Sequence, residues 1–512
     1  MKAKRSLINL SLGLISQLLI VVLGILIPRL LLVNFGSEVN GLLSSIGQII
    51  LYMSLLEAGV GAASIQALYK HVAGGSKESI NSILSATSSY YKKTGVYYFF
   101  CIIILSIVYP LFINSSIDSI TIMFVILVTG MGGAINFYFQ GTFKVFLIAE
   151  GKSYVDTSIT TLINLLINAI KIVFILKGYN IIAIQTTHFV LMIVQIIVYQ
   201  LYINRNYKWL DLKVKPDYDA ISQKKSVMIH QVSYLIFNNT DVLILTIFTN
   251  LKIVSVYVLY NMLFSVLDRV ISTVNSSITF ALGQTFHESK NKFLSLFNAY
   301  EVYFMSFVFS LFTVAYIFIL PFMELYTSGI TDINYIDFWI PTLFVIIKLL
   351  GNARATSNNV INIAGHFKNT QNRAILELII NLVISLVFVQ FLGIYGVLIG
   401  TIAALIYRSI DMVVYANKKI LERNAWLTAR RWLTNIIIFL LMVTAAKAIN
   451  IYPTTYVSTI VSAIFFMGLA IIIYATVNSV IDREVFKFTR ELIIKLINQR
   501  KRKKSISTSI DK

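Results

Sequence analysis

Apolar runs recur along the whole chain, each close to the ~20 residues that cross a bilayer as a helix, with short polar or basic stretches between them. The pattern predicts about fourteen transmembrane helices, over 7–32, 41–69, 90–113, 119–141, 157–177, 181–203, 227–249, 253–282, 295–320, 336–353, 372–392, 394–416, 432–450 and 455–479. Lys2, Lys4 and Arg5 precede the first run, which is too long for a signal-peptide core and lacks a small-residue cleavage site, so it is read as a retained helix. When the connections are assigned alternately to the two sides, nearly all Lys and Arg fall on one of them. Only Lys177 and Lys252 fall on the other, while Arg29, Lys171, Arg269, Lys348, Arg408 and Lys447 lie within predicted spans. Basic loops stay cytoplasmic, so the reading is a multi-pass protein of the cell (inner/cytoplasmic) membrane with both termini cytoplasmic. The outside loops are short, the longest running from Pro321 to Phe338, and leave no room for a folded outer catalytic domain.

The spans group into an N-terminal six-helix lobe at 1–205, a polar cytoplasmic linker at 206–226, and a C-terminal six-helix lobe at 227–416. An appended helix pair follows at 432–479, then a cytoplasmic amphipathic helix and basic tail at 481–512. In that last segment Val485, Phe488, Leu492, Ile493, Leu496 and Ile497 recur at helical spacing, and Arg500 to Lys504 form a basic cluster suited to anionic inner-leaflet lipid. The two lobes echo each other at offsets of 213 to 215 residues. Val39-Asn40-Gly41-Leu42 aligns with Val254-Ser255-Val256-Tyr257, Ser76-Lys77 with Ser289-Lys290, Asn168 with Asn381 and Gly178 with Gly393. A shift of six spans preserves orientation, so the repeat is parallel. Such repeats are a transporter architecture.

Composition changes this picture little. The chain is 57% hydrophobic, as a bundle of this kind requires. A net charge of +20 raises nucleic acid as a partner, but inside loops and a basic tail account for it, and membrane lipid is the partner expected. Cys101 stands alone and can form no disulfide within the chain. Gly151-Lys152-Ser153 has the ending of a phosphate-binding loop but lacks the upstream glycine, position 146 being Phe. The five His residues are scattered, and nothing has metal-ligand spacing or the context of a catalytic nucleophile. No enzyme, cofactor or metal is expected.

Ile27-Pro28-Arg29-Leu30 followed by Phe35-Gly36-Ser37-Glu38-Val39-Asn40-Gly41-Leu42 resembles the opening of a known family. So do Leu56-Glu57-Ala58-Gly59-Val60-Gly61, Ala149-Glu150-Gly151-Lys152, Asn239-Thr240-Asp241 with Tyr257, and Gly393-Ile394-Tyr395-Gly396. The chain resembles the polysaccharide and lipid-linked oligosaccharide flippases of the multidrug/oligosaccharidyl-lipid/polysaccharide exporter superfamily, over roughly the first twelve spans. The resemblance implies two six-helix lobes around a central cavity and alternating access. It also implies a lipid-linked saccharide, carried on polyprenyl diphosphate, as cargo in cell-surface polysaccharide biosynthesis, with polysaccharide-assembly enzymes as partners. A drug/cation antiporter of the same superfamily is the alternative, and a membrane-embedded polymerase or glycosyltransferase is disfavoured by the short outer loops.

Charges inside the spans are the candidate site, because each costs at least ~2.5–3.5 kcal/mol at the bilayer centre unless it faces a cavity or a partner. Arg269, in mid-span, either binds a diphosphate through its guanidinium fork or forms a structural salt bridge, for instance with Asp241. Asp268 lies about 100° away around the helix and does not simply neutralise it. Arg29, directly after Pro28, faces the cavity or snorkels; Lys171 has the same two readings. Lys348 is placed to reach the cytoplasmic mouth, Arg408 to pair with Asp411 three residues on, and Lys447 to snorkel. Glu57 and Asp241 either couple transport to Na+ or H+ or balance a cavity cation, and Asp268 falls in the same class. Membrane potential alone is a third source of drive.

Overall fold

The structure, a computed structural model, describes residues 2–57, 59–221, 239–449 and 451–510. Every element among these is helical: α1 Lys2–Met53, α2 Val60–Gly74, α3 Lys77–Phe112, α4 Ser119–Phe139, α5 Gly141–Ala149, α6 Ser153–Leu176 and α7 Ile181–Asn206. A short helix α8, Asn239–Phe248, precedes α9 Leu251–Glu288, α10 Lys290–Tyr326, α11 Trp339–Ala353, α12 Ala355–Ile363, α13 Phe367–Leu392 and α14 Ile394–Lys419. The chain closes with α15 Trp426–Ala448, α16 Tyr456–Ile481 and α17 Arg483–Ile510. Among the described residues eleven helical stretches are long and apolar enough to cross a membrane. One of them, Ile15–Glu57, holds the first two expected spans on either side of Gly36, whose φ of 79° turns the chain sharply inside α1. The shorter α8 and α11 fall within the seventh and tenth expected spans, and α12 follows beyond the end of the tenth. The chain is a multi-pass membrane protein.

Two expectations change in detail. The second span is interrupted rather than continuous: α1 passes into a tight 3-10 turn at Ser54–Glu57, and α2 restarts after Gly59 at φ 87°. The third and ninth spans extend well beyond their apolar centres, because α3 and α10 begin at the N-cap serines Ser76 and Ser289. Residues 227–238 of the expected seventh span and 222–226 of the expected linker lie outside the described residues.

Residue contacts divide the chain into two units, one of Met1–Met262, Gly329–Ile333 and Val389–Val397, the other of Leu263–Ser328, Asn334–Phe388 and Leu398–Lys512. In the first, α3 packs on α4, α4 and α6 on α7, and α1 on α6. Residues 207–221, part of the segment read as a linker, dock on α3. Asn81 donates to the Trp209 carbonyl at 3.2 Å, Ser85 to those of Leu212 and Val214 at 3.0 and 2.8 Å, and Ser82 accepts from the Asp217 amide at 3.1 Å. In the second unit, α10 is the central helix and packs on α11, α15, α16 and α17. Its fully buried Glu301 accepts from Arg423 at 2.7 Å, from Thr428 at 2.8 Å and from Arg431, and so fixes α15 to α10.

The internal repeat extends to the irregularities of the fold. The break between α4 and α5 at Gln140 recurs between α11 and α12 at Arg354. Both short helices, α5 and α12, have 9 residues, and each ends at a left-handed glycine, Gly151 at φ 74° and Gly365 at φ 71°. These positions keep the offset of the sequence matches.

Candidate functional site

In the first unit the interrupted second span carries Glu57 on the 3-10 turn. A carboxylate within a span needs a donor, and Tyr91 of α3 supplies one, its hydroxyl donating to Glu57 Oε1 at 2.5 Å. Two glycines make the room. A Cβ at Gly61 would lie 2.7 Å from Glu57 Oε1 and 2.9 Å from the Tyr91 hydroxyl, and one at Gly141 would lie 2.6 Å from the Tyr91 ring. A broken helix with a carboxylate at the break is the arrangement transporters use to hold protons or small cations.

Asp241 lies on α8 and accepts from Tyr257 of α9 at 2.8 Å. A ladder of polar contacts around it fastens the second half of α1 to α8 and to the start of α9. Tyr52 bonds Thr240 at 2.7 Å, Thr246 donates to Ser45 at 2.9 Å, and Tyr109 donates to the same Ser45 at 2.7 Å. At its end Asn40 donates to Ser255 at 2.7 Å, and Gly41 lies so close to Leu251 that a Cβ there would sit 1.8 Å from the Leu251 carbonyl oxygen. The turn at Gly36 is tied down as well: Asp332 accepts from the Ser37 amide at 2.8 Å and hydroxyl at 2.6 Å, and Glu38 from Ser115 at 2.8 Å.

In the second unit Asp268 is engaged by α11, accepting from Lys348 at 2.8 Å and from Asn352 at 2.7 Å. Its neighbour Arg269 is exposed and takes part in no ion pair among the described residues. Arg408 does pair with Asp411, at 2.8 Å, but as part of a larger network. Glu377 of α13 accepts from Arg354 at 2.6 Å and lies 3.3 Å from Arg408, while Arg373 pairs with Asp411 and stacks on Tyr415 at 4.8 Å. Lys447 lies 4.7 Å over the Phe338 ring. Of the residues singled out in the sequence, the structure therefore brings Asp268 and Lys348 together. Arg29 is on α1, Lys171 on α6, Glu57 at the break of the second span and Asp241 on α8, each on a separate element.

Sequence reasoning missed Tyr91, Glu301, Arg354 and Glu377. A signal existed for two of them, since Glu301 and Glu377 are carboxylates inside apolar runs and demand buried cations. Their partners Arg423, Arg431 and Arg354 looked like loop charges.

Neither family models nor curated proteins match the sequence. Solved structures do match. The lipid II flippase MurJ in an inward closed conformation superposes with a TM-score of 0.67 at 14% identity, over 92% of this chain and 99% of its own. An inward-facing multidrug resistance MATE family transporter of the MOP superfamily gives 0.63 at 14% identity, over 78% and 95%. A MOP superfamily transporter from Pyrococcus furiosus, described as having a binding pocket of reversed polarity, gives 0.52 at 14% identity, over 82% and 95%. The chain therefore has the fold of the MOP-superfamily transporters, shared by a lipid II flippase and a multidrug resistance transporter.

Proposed function

We propose that the chain flips a polyprenyl-diphosphate-linked oligosaccharide from the inner to the outer leaflet of the cell membrane by alternating access, in the building of a cell-surface polysaccharide. The observation that carries this reading is Arg269. Its neighbouring carboxylate, Asp268, is held by Lys348 and Asn352, which leaves an exposed guanidinium within a membrane-spanning helix. A fork of donors of that kind fits the paired oxygens of a diphosphate, whereas a cationic drug would be repelled. A lipid flippase among the structural neighbours, matched over nearly the whole of both chains, is in keeping with a lipidic cargo. Glu57, with the Tyr91 hydroxyl on it, is the group we assign to H+ or Na+ coupling.

The test is to delete the gene in its host and measure polyprenyl-diphosphate-linked saccharides and their sidedness. They should accumulate on the cytoplasmic face and be cleared by the wild-type gene. Charge-assisted hydrogen bonds of ~1.5–3 kcal/mol correspond to roughly 10- to 150-fold in affinity, so Arg269→Ala should fail to clear them and Arg269→Lys should clear them in part. Unchanged lipid intermediates together with altered sensitivity to cationic toxins would point instead to a drug/cation antiporter, in keeping with the multidrug resistance transporter among the structural neighbours.

A further inference from the structure

The first unit contains a groove of about 370 Å³ between α1 and α6, lined by Ser16, Gly24 and Pro28 on one side and Thr161, Asn164 and Asn168 on the other. These last three recur at spacings of three and four, so they form one face of α6; Lys171, one turn on, lies beyond the residues that line the groove. A polar stripe along a membrane-spanning helix is costly unless its groups find partners. Only part of this one does so within the protein. Thr161 donates to Ser16 at 2.8 Å and the Asn168 amide to the Asn164 carbonyl at 2.8 Å, while the side-chain amide of Asn164 has no partner among the described residues.

The repeat supplies an internal control. At the same offset, Asn164 and Asn168 correspond to Glu377 and Asn381 of α13. Both are buried: Glu377 pairs with Arg354 and Arg408, and the Asn381 amide donates a 2.9 Å hydrogen bond to Thr401 while its Oδ1 has no partner among the described residues. One copy of the stripe is spent on holding helices together, and the other opens on a groove.

We infer that this groove binds the sugar portion of the cargo, with the Asn164 and Asn168 amides and the Thr161 and Ser16 hydroxyls as the groups that hydrogen-bond its hydroxyls. The inference rests on the flippase reading and deepens it. Neutral donors and acceptors set among apolar walls suit a polyol, whereas a diphosphate requires cations and an acyl chain requires no amides.

The occupant can be captured in the host. A genetically encoded diazirine amino acid in place of Leu165, which also lines the groove, is placed in the full-length protein, irradiated in the native membrane, and its adducts read by mass spectrometry. The expected adducts carry periodate-sensitive sugar. They should fall roughly tenfold when Asn164→Leu and Asn168→Leu are combined, as the loss of two hydrogen bonds predicts. They should fall likewise in Gly24→Leu, which adds an apolar side chain to the groove wall at a position where a Cβ meets nothing within 4 Å; this second variant decides the matter if the double asparagine variant does not fold. Adducts of phospholipid acyl chains alone, or sugar adducts undiminished in both variants, overturn the assignment. If the deletion strain accumulates lipid-linked saccharide while the groove captures only acyl chains, the groove assignment falls alone. If no such saccharide accumulates, the flippase reading falls with it.

Discussion

Replacing Gly41 by alanine should destabilise the protein by about 1–5 kcal/mol, a large effect for one methyl group. The new Cβ would lie 1.8 Å from the Leu251 carbonyl oxygen and 2.6 Å from its carbon, both backbone atoms that no rotamer change can move aside. Ordinary contact begins at 3.4 Å, so α1 and the start of α9 must part by about 1.6 Å, enough to carry the adjacent buried Asn40–Ser255 bond of 2.7 Å past hydrogen-bonding range. Overpacking costs about 1–3 kcal/mol, and stranding a buried amide adds about 1–3 kcal/mol. The better helix propensity of alanine returns at most about 1 kcal/mol. Gly47, six residues further along the same helix, is the matched control, because a Cβ there meets nothing within 4 Å, and Gly47→Ala should be neutral or mildly stabilising. SDS-titration unfolding of the two variants in mixed micelles reads the difference. If Gly41→Ala unfolds at the same free energy as Gly47→Ala, the close approach of the two backbones has no energetic content and the reasoning fails.

Other outcomes follow from the same physics. Glu301→Leu takes the carboxylate from half-buried Arg423 and leaves buried Arg431 with Asp482 alone, a loss of about 3 kcal/mol that the same titration detects; a loss under about 1 kcal/mol would mean the arginines find water. Tyr91→Phe keeps the ring against Gly141 and removes only the donor to Glu57, so a loss of about 1–3 kcal/mol is expected, and a stability equal to wild type would show the bond to be dispensable. Tyr207, beyond the end of α7, is held above the usual tyrosine range by burial and then by Glu150. The folded protein therefore keeps that proton longer than the unfolded chain, and the contribution is complete below pH ~10 and lost above it. Tyr207→Phe should accordingly flatten the decline of stability in the alkaline limb, and an unchanged slope would contradict the assignment.

Much of the fold was legible because hydropathy reports directly on residues that meet lipid, and a membrane span leaves few alternatives to a helix. What hydropathy cannot report is where a helix is interrupted. The 3-10 turn at Ser54–Glu57 sits in a run as apolar as its neighbours, and only Glu57 beside Gly59 and Gly61 marks it. The breaks at Gln140 and Arg354 carry no composition signal of their own, yet the repeat offset ties each to the other. Charges were misread where the partner is distant in sequence. Arg430 and Arg431 look like the end of a basic loop, but they lie in α15, with Arg431 buried against Glu301 and both arginines paired with Asp482 at the end of α16. Lys348 and Asp268, 80 residues apart, were both singled out but not as a pair, since one-dimensional spacing says nothing of contacts between helices.

The bond between Asn40 and Ser255 joins two positions that correspond in the internal repeat. In a symmetric dimer of separate chains, a residue that meets its own copy must be able to pair with itself. A single chain carries no such constraint: here one position is asparagine and the other serine, and the neighbouring pair is Gly41 and Val256. A free dimer would make both sides of such a contact alike, whereas a fused one can shape each side separately. Exchanging the two, as Asn40→Ser with Ser255→Asn, therefore moves the longer arm from one half of the repeat to the other.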